Sequence, residues 1–488
     1  MKLPNMFLSK KIKWGAGALA GICLAGLIIF FILAHLASGA AARIFNHEME
    51  KQTMLRGTIT VDSIMGHING DVSFENLVWK EPDGDLVLQV PEGSFHARPW
   101  DVVTRNVKST TIQQLTLKNA VIAVRFNEDM KVDFLDQKPA GFSLPKGKPE
   151  AKTEPGTEDP ELEALTEYFD DDGVNFNLDG RRLRSVIILE DCRLEARYRK
   201  RHYIMNNVNM QLSLNTSGTS HVNLSTGKFG GTMRGGGMSV FGEINFKAAT
   251  PVAELDVTVR EVEPSSLGFG MNVHDLMTVA SKIEGPITEP KGRGTVKMKE
   301  LNIPALRFTD VIGDVNYANG LFRFTDVNAK VFGGTLKARG DYQIDTREYH
   351  IYGNATGLHS MRALNDMRFS CLVDLNMILQ CNGNPRNILA YGDFKSGKGH
   401  YSFIPFNSLE GRFTNRFREL HIYDAVIDTP FGRVSTDAFS IINNKLHLGK
   451  IVLKDLDSGK EITLREKDKN KPEGTKDEPE AKKDKSKE

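Results

Sequence analysis

Residues Val252–Val262 read VAELDVTVREV, and their alternation decides the fold class. Ala253, Leu255, Val257 and Val259 fall on one side of an extended chain. Glu254, Asp256, Thr258 and Arg260 fall on the other. Successive side chains of a strand point to opposite faces, so a period of two gives one apolar face and one wet face.

The pattern extends in both directions. Towards the N-terminus, GTITVDSIMGHINGDVSFENLVWKEPDGDLVLQV (Gly57–Val90) alternates and breaks at His67–Gly70 and at Pro82-Asp83-Gly84. The second break is a hairpin turn, because Gly takes positive φ without steric cost. RPWDVV (Arg98–Val103) reads as a short helical turn, and Ile112–Phe126 returns to strand. VHDLMTVASK (Val273–Lys282) reads as a helical piece before strands resume. The 44 glycines, without collagen periodicity, suggest many turns between many short strands.

The motif FGGT stands at Phe229–Thr232 and again at Phe332–Thr335, and a relative, FGRV, begins at Phe431. The three copies lie roughly a hundred residues apart, which suggests a repeated unit. Gly294 with Gly392, Gly313 with Gly411 and Asp326 with Asp424 repeat at nearly the same interval. A single inserted bulge residue reconciles the two spacings. Gly230-Gly231, Gly333-Gly334 and Gly432-Arg433 are expected as hairpin tips, each with a pinning Phe. A phosphate-cradling loop would need a following helix N-terminus, whereas TLKARGDYQI after the second copy alternates as a strand.

The chain of 488 residues begins with the clearest signal in it. Trp14–Leu33 is twenty residues without a charge, preceded by Lys10, Lys11 and Lys13. At about 1.5 Å per residue this spans a hydrocarbon core of roughly 30 Å. Positive charge in front predicts a cytoplasmic N-terminus and a body on the other side. The run exceeds a signal-peptide core, so an uncleaved anchor is expected rather than a cleaved leader.

The expected organisation follows. Residues 1–13 are a basic N-terminus and 14–36 a transmembrane helix. Residues 42–136 form a first β section and 137–160 a flexible charged linker. Residues 161–270 form a middle β section, opening with a short helix at Pro160–Asp171. Residues 271–455 form a β-repeat section, and 456–488 a disordered charged tail.

Chemistry-bearing motifs are missing. The sequence has no nucleophile elbow, zinc-protease, P-loop or kinase set, and its 12 His are scattered. Net charge is +1, which gives no field for nucleic acid. Asp170–Gly173 lacks EF-hand spacing and reads as a solvated turn. Cys371 and Cys381 are spaced to admit a bridge between adjacent strands, although buried free thiols are expected. The basic runs Arg181–Arg184 and Arg197–His202 read as solvated strand edges, with contact to lipid phosphates as the alternative. No catalytic constellation, cofactor or metal site is expected.

An N-terminal anchor followed by Gly57–Val103 resembles the opening of AsmA/TamB-type proteins of diderm bacteria. There, a Gly-spaced strand pair leads to a Pro-Asp-Gly turn. Ile283–Tyr342 (IEGPITEPKGRGTVKMKELNIPALRFTDVIGDVNYANGLFRFTDVNAKVFGGTLKARGDY) resembles their AsmA-like C-terminal region. The resemblance covers most of residues 10–450. It implies a single-pass inner-membrane protein with a periplasmic body, mainly β. It also implies an elongated, curved, groove-like repeating sheet with few short helices. Phospholipid transport towards the outer membrane would be the role, with membrane phospholipids as partners. The chain is short beside the family's larger members and adds the charged linker and tail.

Alternating strands independently need something to cover the apolar face, and an acyl chain is one candidate. The residues expected to face such a groove are Leu255, Val257, Val259, Val296, Met298, Phe322 and Phe324. The alternative role is an assembly factor or scaffold for outer-membrane proteins, with exposed strand edges as templates. An extracytoplasmic hydrolase is disfavoured for want of a nucleophile–base pair.

Overall fold

A computed structural model describes residues 41–51, 57–67, 69–103, 106–108, 110–126, 175–177, 183–303, 306–416, 419–442, 445–455 and 458–465. The expected anchor at 14–36, the linker at 137–160 and the helix at Pro160–Asp171 lie outside the described residues, as does most of the tail. No helix among the described residues is long and apolar enough to cross a membrane. The protein is mainly β and mostly antiparallel, with a few short helices. It divides into two units, Met1–Thr325 and Asp326–Glu488, with the division inside the strand Leu321–Val331.

In the first unit, the strand Asp71–Lys80 pairs with Thr58–Thr60 and Ser63–Gly66 on one side and with Leu86–Ala97 on the other. Leu86–Ala97 pairs in turn with Ile112–Lys118, and through Leu88 and Gln89 with Val121–Phe126. Both of these run parallel to Arg184–Tyr198. From there the main ladder is antiparallel in chain order. It runs through Arg201–Asn215, Thr219–Ser225, Gly237–Asn245, Val252–Val262, Met277–Pro286, Lys291–Ile303 and Leu306–Ala318.

The core of this unit forms where a helix covers the sheet. Ala41, Ala42, Phe45 and Met49 fall on one face of the helix Ala41–Lys51 and are buried with Ile59, Val61, Val72, Phe74 and Trp79. Asn46 locks the contact. Its Nδ2 donates to the Val61 carbonyl at 3.0 Å, and its Oδ1 accepts from the Val61 amide at 2.9 Å. The side-chain amide thus satisfies the backbone pair of a residue between two short edge strands.

The second unit is a single antiparallel succession. Gly334–Gln343, Glu348–His359, Leu372–Asn382, Leu389–Ser396, Ser408–Arg416, Glu419–Thr429 and Gly432–Ile442 pair in order. Gly432–Ile442 then takes both Lys445–Leu448 and Ile451–Asp455 on its far side. Glu461–Arg465 pairs with Ile451–Asp455, so ordered strand continues into the stretch expected to be a disordered tail. A separate three-stranded sheet, Phe369–Ser370, Gly399–Tyr401 and Ile404–Phe406, accompanies the helix Ser360–Leu364.

Several expectations need correction. Val273–Lys282 is not helical, because Met277–Pro286 is a strand whose Met277, Val279 and Ile283 pair with Val262, Val259 and Leu255. Pairing on both sides overrides the local helix signal. Gly230 and Gly231 are not a hairpin tip. Phe229–Gly231 is a short strand against Tyr203–Met205, and the chain turns afterwards, through Thr232–Gly236. At the second copy the turn residues are Phe332 and Gly333, with φ of 46° and 84°, while Gly334 opens the next strand. Two consecutive positive φ values make the twist-compatible two-residue hairpin. At the third copy the turn is Pro430-Phe431, and Gly432 again opens a strand. RPWDVV, by contrast, forms the helix Pro99–Val103 as expected, and Gly84 turns the Pro82–Gly84 hairpin at φ 87°.

Many of the glycines lie inside strands rather than in turns. Gly93 sits opposite Phe74, and a Cβ there would stand 2.2 Å from the Phe74 ring. Gly411 sits opposite Phe394, whose ring would be 2.8 Å from such a Cβ. In each case a ring lies across the space that a neighbouring side chain would fill.

A second device recurs. Asn76, Asp191, Asn207, Glu261, Asp310, Asp326 and Asp424 interrupt strands with φ between 48° and 52°, and Gly357 does so at 68°. At Asp191, Asn207, Glu261, Gly357 and Asp424 the ladder also shifts register. The residue that follows is usually deeply buried. Leu77, Cys192, Val208, Val262, Val311, Leu358 and Ala425 are all 8% exposed or less.

Candidate functional site

Pairing preserves the face of a sheet, so the registers of the first unit can be followed residue by residue. One row runs Val222, Gly242, Leu255, Ile283, Gly292, Tyr317. The next runs Leu224, Val240, Val257, Ser281, Gly294, Val315, and a third runs Met238, Val259, Val279, Val296, Gly313. A fourth joins Val262, Met277, Met298 and Val311.

Leu255, Val257, Val259, Val296 and Met298 therefore share one face. The Phe322 ring lies 5.1 Å from Tyr317 and 6.4 Å from Phe324, which brings both phenylalanines to the same surface. Met298 is buried and the other six are half-buried. Among the described residues, the strands from Gly237 to Ala318 pack chiefly on their ladder neighbours. The covered core under the helix Ala41–Lys51 passes through Met205, Met210 and Leu224 into this face.

The second unit carries a corresponding set that the sequence reading did not single out. Ala338, Gly353, Met377, Gly392, Phe413, Ile422 and Phe439 form one paired row, and Leu336, Ala355, Leu375 and Phe394 form another.

A loop reaches the face of the first unit. Phe269, between the turn Pro264–Leu267 and the strand Met277–Pro286, packs on Phe322 at 6.3 Å. Glu263 clasps this loop. It accepts from the Ser265 hydroxyl, lies 2.8 Å from His274 Nδ1 and pairs with Arg234 at 3.4 Å. The Ser265 hydrogen bond, then that of His274, holds the Glu263 carboxyl below the ordinary carboxylate range. Ser265, His274 and Glu263 superficially resemble a hydrolytic triad. However, Nδ1 of His274 faces both partners, and the serine proton goes to the glutamate, so the imidazole is not set between nucleophile and acid.

The opposite face is polar. Lys282 bridges Glu254 and Glu284, which stand opposite each other, and Arg293 reaches Glu284 at 3.4 Å. The Lys282 ammonium is raised above its usual value by Glu254 and then Glu284.

Glu81, Asp83 and Asp85 bring three carboxylates together at the Pro82–Gly84 hairpin. Arg125 pairs with all three and Arg197 reaches Asp85 at 4.0 Å, so the carboxylates are engaged by guanidinium groups that offset part of their charge. The Arg197–His202 run forms a hairpin tip where Arg199 lies over the Tyr198 ring and His202 pairs with Glu195 at 2.8 Å. Cys192, Cys371 and Cys381 are buried free thiols. No family model matches the chain, and neither does any curated protein or solved structure.

Proposed function

We propose that this is an inner-membrane-anchored periplasmic protein that holds lipid acyl chains against the apolar face of its sheet. Phospholipid transport and outer-membrane biogenesis are the corresponding role. The observation that carries the reading is the set of paired apolar rows through Leu255, Val257, Val259 and Val296. These residues are half-buried, with neither a second sheet nor a helix packed on them among the described residues.

A soluble sheet usually buries such a face, because each methylene withdrawn from water contributes about 0.8 kcal/mol. An acyl chain laid across the rows would supply that burial without demanding a particular headgroup. Gly242 and Gly294 also stand in the rows, where a Cβ would meet the Glu254 and Ala280 carbonyl oxygens at 2.1 Å, so both mark close approach of the neighbouring strand. The anchor at 14–36, read from sequence, would keep the body beside a lipid source.

The test is photo-crosslinking of the full chain in cells. Probes at Val257 and Phe322 should capture phospholipid, and a probe at the outward Asp256 should not. Equal capture at all three positions, or none at the first two, would sink the proposal.

One observation favours a second reading, that of an assembly factor acting through strand edges. Glu461–Arg465 pairs only with Ile451–Asp455 among the described residues and exposes Ile462 and Leu464. Capture of a β-barrel assembly component by probes on this strand, with the apolar face free of lipid, would favour that role.

A further inference from the structure

The two most exposed large apolar side chains of the second unit lie on one small substructure together with a third, while Phe431, 71% exposed, stands apart at its own turn. Phe403 is 88% exposed, Met367 80% and Leu364 63%. They belong to the helix Ser360–Leu364, the turn that follows it, and the hairpin Gly399–Phe406. The geometry holds them together. The Ser402 amide donates to the Arg368 carbonyl at 2.7 Å, and Arg368 lies over the Tyr401 ring at 5.6 Å.

This substructure is well packed on its inner side. Phe369 stacks on Phe406 at 5.8 Å, and Phe406 and Cys371 are buried. The buried Ser360 hydroxyl accepts from the Cys371 amide at 2.9 Å and donates to the Phe369 carbonyl at 2.8 Å. The exposed apolar side chains thus stand on a packed base, and among the described residues they remain largely open to solvent.

The surrounding charge is one-sided. Across Ser360–Cys371 and Gly397–Asn407 the sequence supplies Arg362, Arg368 and Lys398, and one carboxylate, Asp366. Asp366 is already held by Arg368 at 2.9 Å. Apolar and aromatic tips flanked by cations match the interface of an anionic bilayer, where rings enter the headgroup layer and ammonium or guanidinium groups meet phosphate.

We propose that Ser360–Ser370 with Gly399–Phe406 is a bilayer-contact site, which inserts Phe403 and Met367 into an anionic phospholipid surface. It is separate from the paired apolar rows and does not depend on their carrying lipid. It would let the second unit touch a membrane surface directly.

The experiment uses the full chain in nanodiscs, mixed with vesicles of phosphatidylethanolamine and phosphatidylglycerol and then floated on a gradient. Transfer of a Phe side chain from water predicts that F403S/M367S weakens vesicle binding by roughly tenfold to a hundredfold. R362E/K398E should lose binding to these vesicles and leave the weak binding to phosphatidylcholine vesicles unchanged. Phe241→Ser, which removes an exposed ring elsewhere, should bind as the parent does.

A polarity-sensitive dye at Phe403→Cys should shift to the blue when vesicles are added. Parent-like flotation of F403S/M367S, or a dye that does not respond, overturns the proposal. So does a surface that pairs two copies, seen as doubled particle mass without vesicle binding.

Discussion

Gly93→Ala tests the claim that rings fill the space over glycines within strands. The added Cβ would stand 2.2, 2.5 and 2.9 Å from three atoms of the Phe74 ring. Ordinary contact needs about an ångström more, so the ring or the backbone must move. The ring is 4% exposed, and its strand is held on both sides, through Ile64 and through Gly93 itself. Two responses are open. Local overpacking costs about 1–3 kcal/mol, whereas expelling Phe74 from the core approaches the roughly 3–5 kcal/mol of a Phe→Ala change. The cheaper response prevails, so the expected loss is about 1–3 kcal/mol. The assay is urea unfolding of the full chain by circular dichroism, with Gly397→Ala as control, because nothing lies within 4 Å of a Cβ there. Phe74→Leu in the Gly93→Ala background should recover part of the loss, a coupling of about 0.5–3 kcal/mol. A Gly93→Ala protein as stable as the control, or strictly additive effects, would refute the reasoning.

Glu263→Gln should free the loop that carries Phe269 and speed limited proteolysis between Ser265 and Leu276; an unchanged cleavage rate would remove the clasp. Because the folded Glu263 carboxyl lies below its ordinary 4.5, its stabilisation is complete above that value and is lost as pH falls through the lower folded one. Burial pushes the Tyr349 hydroxyl from 10.0 up to about 12, so its contribution is complete below 10 and is lost as pH rises towards 12. Tyr349→Phe should therefore flatten the alkaline limb of a melting-temperature profile, and an unchanged limb counts against the assignment. Asp424→Val places a branched side chain at φ 50° and should cost about 1–2 kcal/mol in urea unfolding, whereas Asp424→Gly should come close to the parent. Similar losses in both variants would point to the exposed Arg412 pair rather than to the backbone.

The faces were legible in the sequence because a period of two is a local property. Leu255, Val257 and Val259 alternate, and pairing carries their face to Val296 and Met298 without further information. Turn positions were less legible. In Phe-Gly-Gly-Thr, which two residues turn depends on what the flanks pair with. At Phe332 both flanks are long strands, whereas at Phe229 the chain meets Tyr203–Met205 and turns only afterwards. The helix Ala41–Lys51 went unread because its apolar face is short and its partners lie in strands that follow it. The strand at Met277 was misread as a helix because Val273–Lys282 begins in the loop that precedes the strand.

What repeats along the chain is a phase slip more than the Phe-Gly-Gly-Thr turn. Val259 and Val262 are an odd number of residues apart, so strict alternation would send them to opposite faces. Yet Val259 pairs with Val279 and Val262 with Met277, which are two apart on one face. Glu261, at φ 48°, absorbs the difference. Ala355 and Leu358 stand in the same relation around Gly357, pairing with Leu375 and Val373. A polar residue that tolerates the left-handed region, placed just before an apolar one inside an alternating run, therefore marks where the alternation restarts. Asp326 and Asp424, two of the landmarks the sequence does repeat, are both such residues. The slip keeps one face apolar along a strand that also bends, which is what a sheet needs if it is to hold a long apolar ligand across many strands.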